Sequence, residues 1–459
     1  MTDSSGYDIV ILGGGSGGYA CALRAAELGK RVALIEKGKV GGTCLHRGCI
    51  PTKALLHAAE IADHTRDSAA FGVQATLQGI DMPGVNAYKD KVVTRLWKGL
   101  QGLIASRKID VVEGEGKLVS PTSVQAGGTV YTGAHVVLAT GSESRSLPGL
   151  AIDGQRVITS DQALTLDHVP ASVVILGGGV IGVEFASVWR SFGAEVTIVE
   201  MLPHLLPLEE ESSSKLLERA FRRRGIGQKL GARFESVKDT GSGVVVTLEG
   251  GSTLEAELLL VAVGRGPVSA GLGYEEAGVE VERGFVKVDE YCQTRVPTIS
   301  AVGDLTPGLQ LAHVGFAEGI LVAERLAGLH VTPIDYDGVP RVTYSDPEVA
   351  SVGITSATAA ERGIETTEFT YDLAGNGKSQ ILQTQGAAKI IATAGGGPVL
   401  GVHLVGARVG ELIAEGQLIY NWEALPAEVA QLIHPHPTQS EAIGEAHLAL
   451  AGKPLHVHG

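Results

Sequence analysis

Short apolar runs that stop at glycine dominate the pattern along the chain. Ile9–Leu12 and Val173–Leu176 each run into three glycines. "VVLATG" from Val136, "LLLVAVG" from Leu258 and "TISAVGD" from Thr298 end in the same way. Uninterrupted runs this short predict strands that are buried on both faces. Between the first two glycine clusters and the next apolar run, apolar residues recur at helical spacing. Each of those segments therefore reads as strand, glycine turn, helix and second strand.

The first pattern occurs twice. "YDIVILGGGSGGYACALRAAELGKRVALIEK" from Tyr7 aligns without a gap on "ASVVILGGGVIGVEFASVWRSFGAEVTIVE" from Ala171. Gly13, Gly15 and Gly18 fall on Gly177, Gly179 and Gly182, and Glu36 falls on Glu200. This is the spacing of a dinucleotide-binding βαβ unit. The first glycine makes the turn, the second lets backbone approach a pyrophosphate, and the third lets helix pack on strand. The helix N-terminus faces the phosphates, and the acid ending the second strand can accept from ribose hydroxyls. Glu200 would repel a 2′-phosphate, so the second site is expected to take NAD. Two such units predict two nucleotides and an α/β fold. "VPTISAVGDLTPGLQLAHVGFAEG" (296–319) adds a strand into Gly303-Asp304 and a helix starting near Ala312. An acid at that place suits a ribityl or phosphate group.

The copies differ where Ala20 is matched by Glu184. Glu184 reads either as a solvated helix carboxylate or as an ion-pair partner, with Lys53 as the candidate. The run Arg222-Arg223-Arg224 reads as a solvated face.

Composition narrows the classes. A length of 459 residues predicts three to four domains at about 150 residues each. A formal net charge of −14 argues against nucleic acid and, more weakly, against anionic membranes. No apolar run approaches the ~18 residues of a membrane span. "MTDSSGYDIVIL" lacks the marks of a signal peptide, so a cytoplasmic protein is expected. Four cysteines in such a chain make no disulfide framework.

Two of the four stand close together in "GGTCLHRGCIPTK" (41–53), as Cys44 and Cys49. In a regular helix their Cα atoms would lie roughly 8–9 Å apart, whereas a disulfide needs less than about 7 Å. A bonded pair therefore requires a break, for which Gly48 supplies freedom. Pro51 fits the first turn of the helix that follows. A thiol there, near Arg47 and Lys53, is expected to have a lowered pKa. Buried structural thiols and a metal site are the alternatives to a redox dithiol. Cys21 lies on an apolar helix face and reads as core; Cys292 has no evident role. Near the end, "IHPHPTQSEAIGE" (433–445) sets His434 and His436 on an extended turn between prolines. Either could be a base near neutral pH. His456 and His458 at the tail read as solvent-facing.

The 41–53 segment resembles the active-site signature of the pyridine nucleotide-disulfide oxidoreductases. The resemblance extends over nearly the whole chain through Glu36, the second glycine motif, "TISAVGD" and the histidine motif. It implies two Rossmann-like dinucleotide-binding domains plus a C-terminal α+β dimerisation domain. The expected divisions are an FAD-binding domain (1–145), an NAD-binding domain (146–268), a central domain completing the FAD site (269–338) and an interface domain (339–459). It implies Cys49 as the thiol facing the flavin, Cys44 as the thiol exchanging with substrate, and Lys53 paired with Glu184. His436 becomes the acid/base, oriented by Glu441. Further cofactor contacts are implied at Gly42, Thr43, Gly116, Thr140, Gly141, Gly264, Asp304, Ala312 and His313.

The resemblance also implies a homodimer and oxidation of a protein-borne dihydrolipoyl group. The partners would then be lipoyl-bearing subunits of 2-oxo acid dehydrogenase or glycine cleavage complexes. NAD(P)H-dependent reduction of another small disulfide, of glutathione or mycothiol type, is the alternative within the family. A flavin-bearing scaffold subunit is the alternative outside catalysis. The chain departs from the usual pattern at His46-Arg47, Thr52, Val268 and Gln439. None of these removes a reactive group.

Overall fold

The computed structural model describes residues 3–457, so His458 lies outside the described residues. The chain divides into two compact units. The first takes the chain up to Ala54, with Pro83–Arg145 and Gly264–Ile334. The second takes Leu55–Met82, Ser146–Val263 and Asp335 onward.

In the first unit, β1 (Asp3–Leu12) leads through α1 (Ser16–Glu27) to β2 (Val32–Glu36). β1 pairs in parallel with β2 and with strand Thr129–Leu138, onto which Ile299–Ala301 adds, also in parallel. Successive residues go to opposite cores, as a strand covered on both faces requires. Ile9, Ile11 and Leu34 join Cys21, Ala22 and Ala25 on the α1 side. Val10, Leu12, Ala33 and Ile35 join Leu118, Val124 and Tyr274 on the other. The expected helix near Ala312 is present as Ala312–Leu326. It meets α1 backbone to backbone: a Cβ at Gly319 would lie 2.3 Å from the Gly17 carbonyl oxygen. Gly315 also lies against Gly17, so the two helix N-termini are held side by side.

The second unit contains the repeat of that design. Its parallel sheet runs Gly227–Leu230, Glu195–Glu200, Ser172–Leu176, Leu258–Val261 and Val157–Ile158, with helix Val180–Phe192 after the glycine turn. A five-stranded antiparallel sheet follows, in the order Arg341–Thr343, Glu348–Gly353, Val399–Gly406, Ala387–Thr393 and Thr366–Asp372. Helices Val409–Asn421 and Glu441–Leu450 cover its apolar face through Ile413, Ala442 and Ile443. Among the described residues no helix is long and apolar enough to cross a membrane.

Candidate active site

The first glycine turn is built by close approach. Gly13 has φ 107°, and a Cβ there would lie 2.2 Å from the Ala139 carbonyl oxygen. A Cβ at Gly18 would lie 1.9 Å from the carbonyl oxygen of Gly13. Glu36 closes the turn, accepting from the Gly14 amide at 2.6 Å and the Gly38 amide at 2.7 Å. The cysteine segment lies against this turn. The Gly41 amide donates to the Gly14 carbonyl at 2.8 Å, and a Cβ at Gly42 would lie 2.6 Å from Gly15 Cα. This bare backbone cradle, at two adjacent helix N-termini, fits a pyrophosphate.

Cys44 sits on α2 (Gly42–Arg47), and Cys49 opens α3 (Cys49–Asp67). Gly48 breaks the helix between them at φ −146°, ψ −110°. Pro51 falls in the first turn of α3, as expected. Thr52 Oγ1 donates to the Gly48 carbonyl at 2.7 Å and fixes the break. All four cysteines are free thiols, and Cys44 is hydrogen-bonded to Cys49. The Cys44 thiol is pushed far up from its ordinary value. Its hydrogen bond to Cys49 is the main cause, then burial, then negative charge at Cys49; Lys53 acts in the opposite direction. Two thiols in contact do not both ionise at once, so Cys44 keeps the pair's last proton. Tyr19, directly after Gly18, is pushed up to about 12 by burial and then by the charges of Cys44 and Cys49.

Thr43, Ser142, Arg265 and Asp304 converge in the same unit. Ser142 Oγ donates to Asp304 Oδ2 at 2.5 Å. Arg265 donates to Ser142 Oγ at 2.8 Å, to its carbonyl at 2.6 Å and to Thr43 Oγ1 at 3.5 Å. Gly303 donates its amide to Glu318. Gly141 and Gly264 turn the chain at φ 70° and 110° on either side of this group. Ala312 and His313 form the first turn of their helix. Two expected cofactor contacts have internal roles here. Thr140 Oγ1 donates to the Val268 carbonyl at 2.6 Å and bonds Tyr274 Oη at 2.9 Å. Gly116 makes room for Leu12, whose Cδ1 lies 2.5 Å from where a Cβ would stand.

The second unit repeats the turn. A Cβ at Gly182 would lie 2.0 Å from the Gly177 carbonyl oxygen, and Gly179 precedes the helix as its N-cap. Glu200 accepts from the Gly178 amide at 2.6 Å and the Leu202 amide at 2.7 Å. Glu184 is 3% exposed and accepts from the Tyr344 amide at 3.0 Å, so it is no solvated helix residue. Arg224 also departs from the solvated face expected of it. Its side chain is 19% exposed and donates to Ser187, Ser191, Asp63 and the Asp346 carbonyl.

The structure separates the two histidines that the sequence leaves equivalent. His434 is 11% exposed, bonds Glu415 through Nε2 at 2.7 Å, and lies under Gly444. His436 is 78% exposed and bonds Glu441 through Nδ1 at 2.9 Å. Glu441 also accepts from the Thr438 amide at 2.8 Å. Burial alone would raise the Glu441 pKa; the Thr438 and His436 bonds outweigh it and hold it low. Glu441 thereby fixes the Nδ1–H tautomer and leaves His436 Nε2 as the basic nitrogen. The dithiol belongs to the first unit and this pair to the second.

Residues 7–319 match the pyridine nucleotide-disulphide oxidoreductase family, and residues 339–447 match that family's dimerisation domain. The chain belongs to this family. It is 41% identical to the dihydrolipoyl dehydrogenase of Bacillus subtilis, with 98% of this chain and 99% of that protein covered. It is 39% identical to the mitochondrial dihydrolipoyl dehydrogenase of Pisum sativum, covering 98% and 92%. It is also 38% identical to a leghemoglobin reductase of Glycine max, covering 98% and 88%. The crystal structure of LpdA from Mycobacterium tuberculosis superposes with a TM-score of 0.90 at 29% identity, covering 98% of this chain and all of that one. Membership of this pyridine nucleotide-disulphide oxidoreductase family accounts for the dithiol, the paired glycine turns and the α/β fold with its C-terminal domain. Cys21 lies in the core, as expected, and Cys292 is buried beside it.

Proposed function

We propose that the protein is a dihydrolipoyl dehydrogenase, oxidising protein-bound dihydrolipoyl groups and reducing NAD⁺. The observation that carries this reading is the Cys44–Cys49 dithiol, set at a helix break directly on the first glycine turn. The cofactors are FAD and NAD. Gly13, Gly15, Gly18, Glu36, Gly42, Thr43, Lys53 and Asp304 would hold the first. Gly177, Gly179, Gly182 and Glu200 would hold the second. Bound FAD supplies a two-electron carrier between the thiols and NAD⁺.

With the cysteines oxidised, one substrate thiol gives its proton to His436 Nε2 and the resulting thiolate attacks Cys44 Sγ. The Cys44–Cys49 bond breaks and Cys49 leaves as thiolate. The second substrate thiol then attacks the substrate sulfur of the mixed disulfide. It closes the lipoyl disulfide and returns a proton to Cys44. Two electrons thus pass to the protein, with Cys44 as thiol and Cys49 as thiolate. The raised Cys44 pKa favours that distribution. Lys53 offsets the negative charge of the pair.

A homodimer, in which one protomer's C-terminal segment completes the other's site, agrees with the dimerisation domain. We extend the reading to lipoyl-bearing complex subunits as partners, to a cytoplasmic setting and to the four-part division 1–145, 146–268, 269–338 and 339–459.

Cys44→Ser tests the reading. Lipoamide turnover is expected to fall by about 10³-fold or more, while NADH-to-dye electron transfer persists. Unchanged lipoamide turnover in that variant would overturn the reading.

A further inference from the structure

The antiparallel sheet of the second unit carries a polar row on one face. Arg341 pairs with Ser351, Ser351 with His403, His403 with Lys389, and Lys389 with Thr370. Directly paired residues share a face, so the row crosses all five strands opposite the helix-covered core. It receives two consecutive carboxylates. Glu209 accepts from Arg341 Nε at 3.1 Å and Ser351 Oγ at 2.5 Å. Glu210 accepts from Lys389 Nζ at 2.8 Å, the Ser356 amide at 3.0 Å and Ser356 Oγ at 3.3 Å. Glu368 completes the set on Lys389 at 2.8 Å. Glu210 is buried, and the Glu209 side chain is 9% exposed. Charges removed from water are costly unless fully paired, and here each has at least two donors.

The other end of the same segment is the nucleotide site. Glu200 is followed by the loop 201–210. In it the Leu202 amide donates to Glu200 Oε1 at 2.7 Å and the Leu206 amide to the Gly178 carbonyl at 2.9 Å. Leu205 is fully buried against Gly178: a Cβ on that glycine would lie 2.7 Å from Leu205 Cδ2. Leu206 has φ 49°, a left-handed conformation that a leucine holds only when its surroundings fix it. The loop is thus bonded to the glycine turn at one end and to the five-stranded sheet at the other.

We propose that Glu209 and Glu210 are positioning residues for NAD⁺, holding loop 201–210 so that Gly178 and Glu200 keep their binding geometry. The inference rests on the functional reading above only for the identity of the nucleotide. Cement between two sheets would account for the ion pairs, but not for their placement on the segment that bonds Gly178 and Glu200.

NAD⁺ affinity, measured by calorimetry on the full-length holoenzyme, tests it. In E209Q/E210Q and in Lys389→Met the Kd for NAD⁺ is expected to rise about five- to tenfold, the scale on which packed networks modulate a site. Lys389→Arg, which keeps the charge, is expected to stay within about twofold of the wild type. Flavin reduction by dihydrolipoamide, watched separately by stopped flow, is expected to be unchanged. Ser351→Ala removes one hydrogen bond and no charge, and it decides the matter by a smaller rise in Kd if the other variants do not fold. An unchanged Kd in the folded variants would overturn the inference, as would an equal loss in both half-reactions. If dihydrolipoamide fails to reduce even the wild type, the functional reading falls while the NAD⁺ affinities still test the loop.

Discussion

His434 and His436 stand two positions apart, yet their carboxylate partners give them different work. Glu415 takes the Nε2 of His434 and raises its pKa above the ordinary 6.5, burial opposing. Glu441 takes the Nδ1 of His436 and leaves its Nε2 unengaged by that bond. The sign at His434 follows from linkage. A raised folded-state pKa stabilises fully below pH 6.5 and is lost as pH climbs through the raised value. The melting-temperature difference between the wild type and Glu415→Gln is therefore expected to be largest near pH 6 and to shrink above neutrality. A difference constant from pH 6 to 9 would contradict it. The sequence displays Cys44, Cys49, His436 and Glu441 because their chemistry fixes residue type and spacing. Tyr19, Ser142 and Arg265 carry no such signature. They come together with Thr43, Asp304 and the cysteines only because separate segments fold together.

The two glycine turns are the elements whose sequence speaks most plainly. Each combines a positive φ with a Cβ position occupied by a carbonyl oxygen, at 1.9 Å for Gly18 and 2.0 Å for Gly182. No side chain fits either place, so the repeat survives as a readable pattern. Gly18→Ala is expected to yield protein that loses FAD on purification. Gly182→Ala is expected to keep its yellow colour and raise the KM for NAD⁺ by about tenfold or more. Equal FAD content and equal KM in both variants would contradict the assignment of the two turns. Less legible were elements whose charges pair across distant strands. Arg224 and the row Arg341, Ser351, His403 and Lys389 look like ordinary surface polarity in sequence, because nothing local says that Asp63, Glu209 and Glu210 will meet them.

At the scale of the whole molecule, a chain of formal net charge −14 combines the pyridine nucleotide-disulphide oxidoreductase match with that family's dimerisation domain. The apolar runs ending in glycine foretold the parallel strands at the centre of two sheets. They said little about the antiparallel sheet of residues 341–406, whose strands alternate between an apolar face and a polar one. The most direct test is anaerobic titration of the purified holoprotein with dihydrolipoamide and then NAD⁺, following the visible spectrum. The account predicts a long-wavelength charge-transfer band as the dithiol is reduced, lost on adding NAD⁺ as NADH appears. A spectrum unmoved by dihydrolipoamide, in protein that NADH does reduce, would contradict it.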